Sequence, residues 1–488
     1  MSTTDCITGN ISPYIPSPAK PWNKQRIEHL YRRMGFGATP EQVNAALLLT
    51  PSALVDQIVN QAVAMPLSPT PIWADYTLIP LYGYTSVEEF GDEARDHMRE
   101  WRRQLLTDMT VNGFRDKLVL FWHNHFVTGW STYTCSKYLY QYHKCLQQFA
   151  LANFKDFVYE IGKTPAMLMF LDGALSTKNN PNENYARELF ELFALGEGVG
   201  YTQADIVAAS RALTGWRASG GSCIDAWFDP TRFDTNSKTI FGQTGNWNYD
   251  DLNDILFQYR TSEVAHHICR KIYEHFIYPQ ADETIVSELA TTFINSNFEL
   301  SPVFKQLFKS NHFFDDIFIG TTIKSPAAYF VGLLHQLKIS YDTSLLNYIA
   351  DGCGLLGQVL YEPVDVAGWP GHHAWITEDT LTRRWDIVSD YLASGVNAAT
   401  EDNWVQLAKD LTNDSNDPAI VAAAIADYLL PNGLSDENMY DIATQVFKSD
   451  IPENYFQDYS WNLDWSEVPD QIAALLGYLI RLPEFQLT

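Results

Sequence analysis

From Arg26 to the end of the chain, apolar residues recur at three- and four-residue spacing with scarcely a break. Segments around 40–63, 93–112, 113–127, 136–150, 154–171, 181–195, 203–214, 263–277, 281–296, 301–310, 324–338, 344–360, 376–393, 416–430, 436–448 and 468–482 all carry the pattern. This is the period of helices that each keep one apolar face, and such faces must be buried on one another. The spacing therefore predicts an all-α fold. Two short stretches, 224–228 and 238–241, depart from it, separated by a Pro- and Asp-containing turn. They predict a small β-hairpin or ordered loop inserted near 219–245. No Pro- or Gly-rich spacer divides the 488 residues. The expected organisation is a polar, mobile lead-in over 1–22, a main helical domain over 23–399, and a helical C-terminal subdomain of the same unit over 400–488.

Charge narrows the function classes. The chain has 33 basic and 59 acidic residues, a net charge of −26. Such a field repels phosphate backbones and anionic lipid heads, so no nucleic-acid or membrane-surface partner is expected. No apolar stretch is long enough for a membrane span. Residues 1–20 lack the basic start and apolar run of a signal peptide. The expectation is a secreted or periplasmic protein whose leader is absent from this numbering, with a cytoplasmic chain as the alternative. Six scattered cysteines form no Cys-x-x-Cys pair, which argues against a zinc ribbon or redox motif. Buried free thiols are the plainer reading, and Cys135 with Cys145 is the nearest pair. Aromatic residues are 14% of the chain, most of them core and some able to form a binding surface.

Four clusters carry candidate chemistry. The run 182–196 places Asn182, Asn184, Arg187, Glu188 and Glu191 on one expected helix, capped near Asn180 and ended by Gly196. Glu183–Arg187 and Arg187–Glu191 are ion pairs at helical spacing, so a solvated charged face competes with a pocket. Thr202 and Asp205 signal the next helix, whose single basic residue, Arg211, is expected to meet Glu188 or Glu191. His123 and His125 resemble a His-x-His chelate, the one pair considered for a divalent metal; no motif specifies any other cofactor. On a helix, residues two apart point about 200° apart, so the two cannot share an ion. His267 and Lys271 share a helix face that suits an anion or simply solvent. The Gly- and Pro-rich stretch 357–375 contains Gln358, Trp369, His372, His373 and Trp375, which could line a pocket or anchor a buried loop. No nucleophile elbow, phosphate loop, dinucleotide fingerprint or His-Glu-x-x-His is present.

Several ordered motifs together resemble the bacterial family of unknown function DUF1800. They are 29–37 (His-Leu-Tyr-Arg-Arg-Met-Gly-Phe-Gly), 121–126 (Phe-Trp-His-Asn-His-Phe), the run 182–196, Tyr201-Thr202-Gln203, 209–216, Lys324-x-Pro326 and the Gly-Trp loop 357–375. Three departures stand out: Phe233-Asp234 where the family usually has His-Asp, Val364 for a second Pro, and His372 for a Gly. The resemblance implies a mostly helical bacterial protein, often exported and often encoded beside a sulfatase/alkaline-phosphatase-like partner. It brings no settled activity. The reading that joins residues and resemblance is an extracytoplasmic hydrolase for an anionic or carbohydrate-containing substrate. Its acid/base and orienting groups would be Glu188, Glu191, Arg187, Arg211 and Asp234, with Asn182, Asn184, Lys238 and the 357–375 loop binding substrate. His372 or His373 could replace the imidazole missing at Phe233. The alternative is a non-catalytic binding or assembly protein working with that partner through aromatic surface such as 455–465.

Overall fold

The computed structural model describes residues 10–78 and 86–488. Helices dominate, and the only sheets among the described residues are two antiparallel pairs of short strands. Helix starts follow local chemistry. Thr39, Thr202 and Asn248 each close a capping box with the residue three positions on. Pro40, Pro51, Pro165 and Pro326 sit at first helical positions, where a missing N–H costs nothing.

The helix Phe114–His125 lies at the centre, packed by helices Pro51–Ala64, Val87–Asn112 and Ser136–Phe149. Ten of its twelve residues are buried, charged ones included. Trp122 sits among Phe126, Phe154 and Phe157 at ring separations of 6.0, 5.8 and 5.5 Å. Its indole N–H donates to the Ala150 carbonyl at 2.9 Å, so a large apolar body is buried without an orphaned donor. One continuous core runs from Ile11 to Phe485. The boundary expected at 400 falls inside helix Ala398–Thr412, and Trp404 belongs to the same core as Ile27 and Leu30. The Tyr428 hydroxyl bonds the Ala38 and Gln336 carbonyls, joining the C-terminal helices to both.

Three sequence expectations meet a different structure. Residues 1–9 of the expected lead-in, Cys6 among them, lie outside the described residues. Residues 10–22 pack on the body: Tyr14 is buried against Phe314, and Pro13 forms a β-bridge with Ser310. The two strand candidates do not pair with each other. Ile224–Phe228 pairs with Trp216–Ser219, and Lys238–Ile240 with Gln243–Gly245. Phe241 and Gly242 both have positive φ (48° and 80°), the backbone that a tight hairpin turn requires, so the second strand folds back at once. Cys135 joins Cys223, 88 residues on, rather than Cys145; Cys145, Cys269 and Cys353 are buried thiols. No helix among the described residues is long and apolar enough to cross a membrane.

The disulfide fastens the first hairpin to the start of helix Ser136–Phe149, where the Tyr138 hydroxyl also bonds the Ser219 and Ile224 carbonyls. A cross-link closing so long a loop restricts the unfolded chain strongly. Replacing both cysteines by serine is expected to lower unfolding free energy by about 2–4 kcal/mol in a denaturant titration. An unchanged midpoint would show that the link contributes nothing.

Candidate functional site

The run 182–196 does not form the helix expected of it. A short α-helix, Asn184–Glu188, opens into a π-helical turn, Leu189–Ala194. The start lies beyond Asn180, because residues 177 and 180 pair in a bridge and Asn182 Oδ1 accepts from Asn184 N at 2.8 Å. The ion pairs Arg187–Glu183 and Arg187–Glu191 form at 3.1 and 3.2 Å, half-exposed. Burial, then Glu191, pushes the Glu188 carboxyl above its usual range.

A π-turn leaves carbonyls without their usual helical donors, and here two imidazoles serve them. His125 Nε2 donates to the Phe193 carbonyl at 3.1 Å and His267 Nε2 to the Leu192 carbonyl at 2.9 Å. The two rings lie 6.3 Å apart. Burial holds both imidazoles neutral; for each, Lys271 adds the next largest push in that direction. His123 points elsewhere, with Nδ1 at 2.8 Å from the Tyr142 hydroxyl. The two histidines of the apparent chelate thus make separate bonds. The group of described residues with metal-ligand spacing is Asp108, Asp116 and His143 instead.

Arg211 bonds Asp234 at 2.7 Å rather than Glu188 or Glu191. The second hairpin packs on helix Gln203–Ala212 and brings Asp234 over it. Asp234 is nearly buried and also accepts from Asn236. Burial raises its carboxyl, but the Arg211 and Asn236 bonds outweigh that and hold it below the usual range. Lys238 gives its ammonium to the Asp234 and Asn236 carbonyls and lies over the Phe233 ring. Phe233 packs on Phe228. No imidazole is among these partners. His372 stands elsewhere, in a cleft with Arg33 and His275.

That cleft, about 430 Å³, gathers what the sequence left scattered. His125, Gln358, Trp369, His372 and Trp375 line it; His373 is exposed outside it. So do Arg32 and Arg33, Lys117, Lys271 and Lys324. Among the described residues, Glu274 is its one lining carboxylate side chain. Glu188, Glu191, Arg187, Arg211, Asp234, Asn182, Asn184 and Lys238 do not line it.

The basic residues are poorly compensated. Arg32 reaches Glu28 at 3.3 Å, but among the described residues Arg33 bonds only the Phe318 carbonyl and the Thr321 hydroxyl. Lys324 bonds the Phe485 carbonyl. Lys117 and Lys271 have no ion pair or hydrogen bond among the described residues, and Lys117 rests over the Phe36 ring at 4.8 Å. Burial, with repulsion from Arg33, holds the Lys117 amine down to about 7. Buried Nε atoms of Arg32 and Arg33 also lack partners. In the sequence Arg32, Arg33 and Lys324 stand out only as parts of motifs, and Lys117 stands in none of them. The available signal was that these motifs each contribute a basic side chain.

Asn124 fixes the loop wall. Its Oδ1 accepts from Trp369 N at 2.6 Å and its Nδ2 donates to Trp369 O at 3.3 Å. Gly368 has φ +90°, and an added Cβ would meet Asn124 Oδ1 at 2.3 Å. Gln358 Oε1 accepts from Ala327 N, tying the other end of the loop to helix Pro326–Gln336. Asn124→Ala is expected to cost about 1–3 kcal/mol and to speed amide exchange across 363–375. Exchange unchanged in that segment would show the clamp to be dispensable.

Neither curated proteins nor solved structures bring a match to this chain. A family match covers residues 29–487, and with it all the motifs that meet at the cleft. The chain belongs to the family described as "Protein of unknown function (DUF1800)".

Proposed function

We propose that this protein binds an anionic ligand, bearing a sulfate, phosphate or carboxylate group, in the cleft between Arg33, Lys117, Lys271 and Trp369. The observation that carries this is the excess of basic over acidic side chains lining that cleft, Arg32, Arg33, Lys117, Lys271 and Lys324 against Glu274, in a chain of net charge −26. Buried or half-buried cations without partners are costly, and an anion removes the cost by supplying charge and acceptors together. Trp369 and Trp375 add apolar wall, which suits a ligand with a carbon skeleton behind its anionic group.

Hydrolysis is the second reading, and the cleft changes who would perform it. Glu188, Glu191 and Asp234 lie outside, so the acid available is Glu274, whose carboxyl burial pushes up, with neutral His125 as a proton acceptor. The buried disulfide supports an extracytoplasmic bacterial setting. A sulfatase/alkaline-phosphatase-like partner, implied by the family resemblance, handles the same class of anions.

Sulfate tests the reading because its charge is constant near neutrality. Lys117 is charged below about 7 and neutral above, so sulfate affinity should fall as pH rises through about 7. Burial also lowers Arg33, to about 9, and holds Lys324 well below the usual lysine range, so neither opposes the loss with rising pH, and burial keeps His275 and His372 below the usual imidazole range. Calorimetry should show weaker binding at about pH 8 than at about pH 6, and about tenfold weaker binding in Lys117→Met and Lys271→Met. Added sodium chloride should weaken it further. No sulfate or phosphate binding, or equal binding in both variants, would sink the proposal.

A further inference from the structure

A chain of contacts leads inward from the cleft wall. Trp369 meets His123 at a ring separation of 5.1 Å, His123 meets Tyr361 at 5.3 Å, and the Tyr361 hydroxyl lies 2.9 Å from His143 Nδ1. His143 belongs to a cluster with Asp108 and Asp116. One ligand atom from each of the three lies within 4.8 Å of the others. The residues come from three neighbouring helices, Ser136–Phe149, Val87–Asn112 and Phe114–His125. All three are buried, Asp116 fully.

Two buried carboxylates this close repel one another. Arg115 bonds Asp116 Oδ2 through Nε and Nη2 at 3.1 and 2.9 Å, and one guanidinium leaves the pair with excess negative charge. His143 is the independent observation. With Nδ1 engaged by Tyr361, its Nε2 is buried and has no hydrogen-bond partner among the described residues. The carboxylates are also oriented from behind. Ser68 Oγ donates to Asp108 Oδ2 at 2.5 Å, and Gln147 Nε2 donates to Asp116 Oδ1 at 2.9 Å. Outer hydrogen bonds of this kind hold ligands in place around a metal ion.

We propose that Asp108, Asp116 and His143 bind one first-row divalent cation, Mn²⁺ or Zn²⁺, which cross-links the three central helices. Mixed carboxylate oxygen and imidazole nitrogen suits these ions better than Ca²⁺ or Mg²⁺, which favour all-oxygen cages. Ligand bonds of about 2.0–2.2 Å put tetrahedrally placed donors on one ion about 3.3–3.6 Å apart. Atoms within 4.8 Å of one another close to that spacing with small side-chain shifts. A second cleft, about 610 Å³ and bounded by Met65, Met109 and Phe114, reaches Asn112. The Asn112 amide bonds Asp116 Oδ2 at 2.8 Å, so this cleft ends one side chain short of the cluster. The cation cross-link does not depend on the anion cleft.

The test uses the full chain, stripped with EDTA and dialysed. Mn²⁺ is titrated with loss of the free-ion paramagnetic resonance signal as readout, and Zn²⁺ by metal analysis after gel filtration. The wild type should take up about one ion per chain and melt at a higher temperature with it. His143→Gln and Asp108→Asn should each bind at least about tenfold more weakly. If either variant fails to fold, the wild-type titration still decides. Folded wild type that binds neither ion overturns the proposal, as does unchanged affinity in a folded variant.

Discussion

Burial of helix Phe114–His125 on every side is the constraint on which the rest depends. A surface helix needs one apolar stripe, but this one must match three different neighbourhoods within three turns. Trp122 anchors it in a cage of phenylalanines, with its only polar atom spent on the Ala150 carbonyl. Adjacent residues then diverge by about 100°. Asp116 enters the carboxylate cluster, whereas Lys117, Phe121 and Asn124 face the cleft. A shift of this helix would disturb both polar centres at once.

Those two centres have opposite electrostatic character within one continuous core. On one side, basic side chains outnumber carboxylates around an open cleft; on the other, two carboxylates share a buried pocket with one guanidinium. Between them lie His123, Tyr361 and Trp369: His123 bonds the Tyr142 hydroxyl, the Tyr361 hydroxyl bonds His143, and the Trp369 backbone bonds Asn124, while His123 Nε2 and Trp369 Nε1 have no partner among the described residues. Buried charge left without a partner is expensive, and that cost is the physical ground on which an ion of opposite sign is proposed at each centre.

The charged run 182–196 changes meaning in this frame. Its ion pairs form as spacing dictates, yet its side chains stay outside the cleft. Its contribution comes through the backbone. The π-turn presents the Leu192 and Phe193 carbonyls, and these orient His267 and His125, the latter lining the cleft. It positions one wall of the cleft, and its own side chains do not line it.

Helical class, capping boxes, the Arg187 ion pairs and the separation of His123 from His125 were legible in the sequence. Each depends on residues within a turn or two of one another, and local spacing sets that geometry. The motif resemblance was legible too, because it is carried by residue order. The partner of Arg211, the pairing of Cys135 with Cys223, the π-turn and the strand pairings were not. Nor was the meeting of Arg33, Lys117, Lys271 and Lys324, which lie on four separate segments. Periodicity tells which face of a helix is buried, not which neighbour covers it. By itself the sequence determined a helical member of its family with several motifs of polar and basic residues. Tertiary structure alone decided that these converge on a cleft, since convergence depends on how whole helices pack and leaves no local trace.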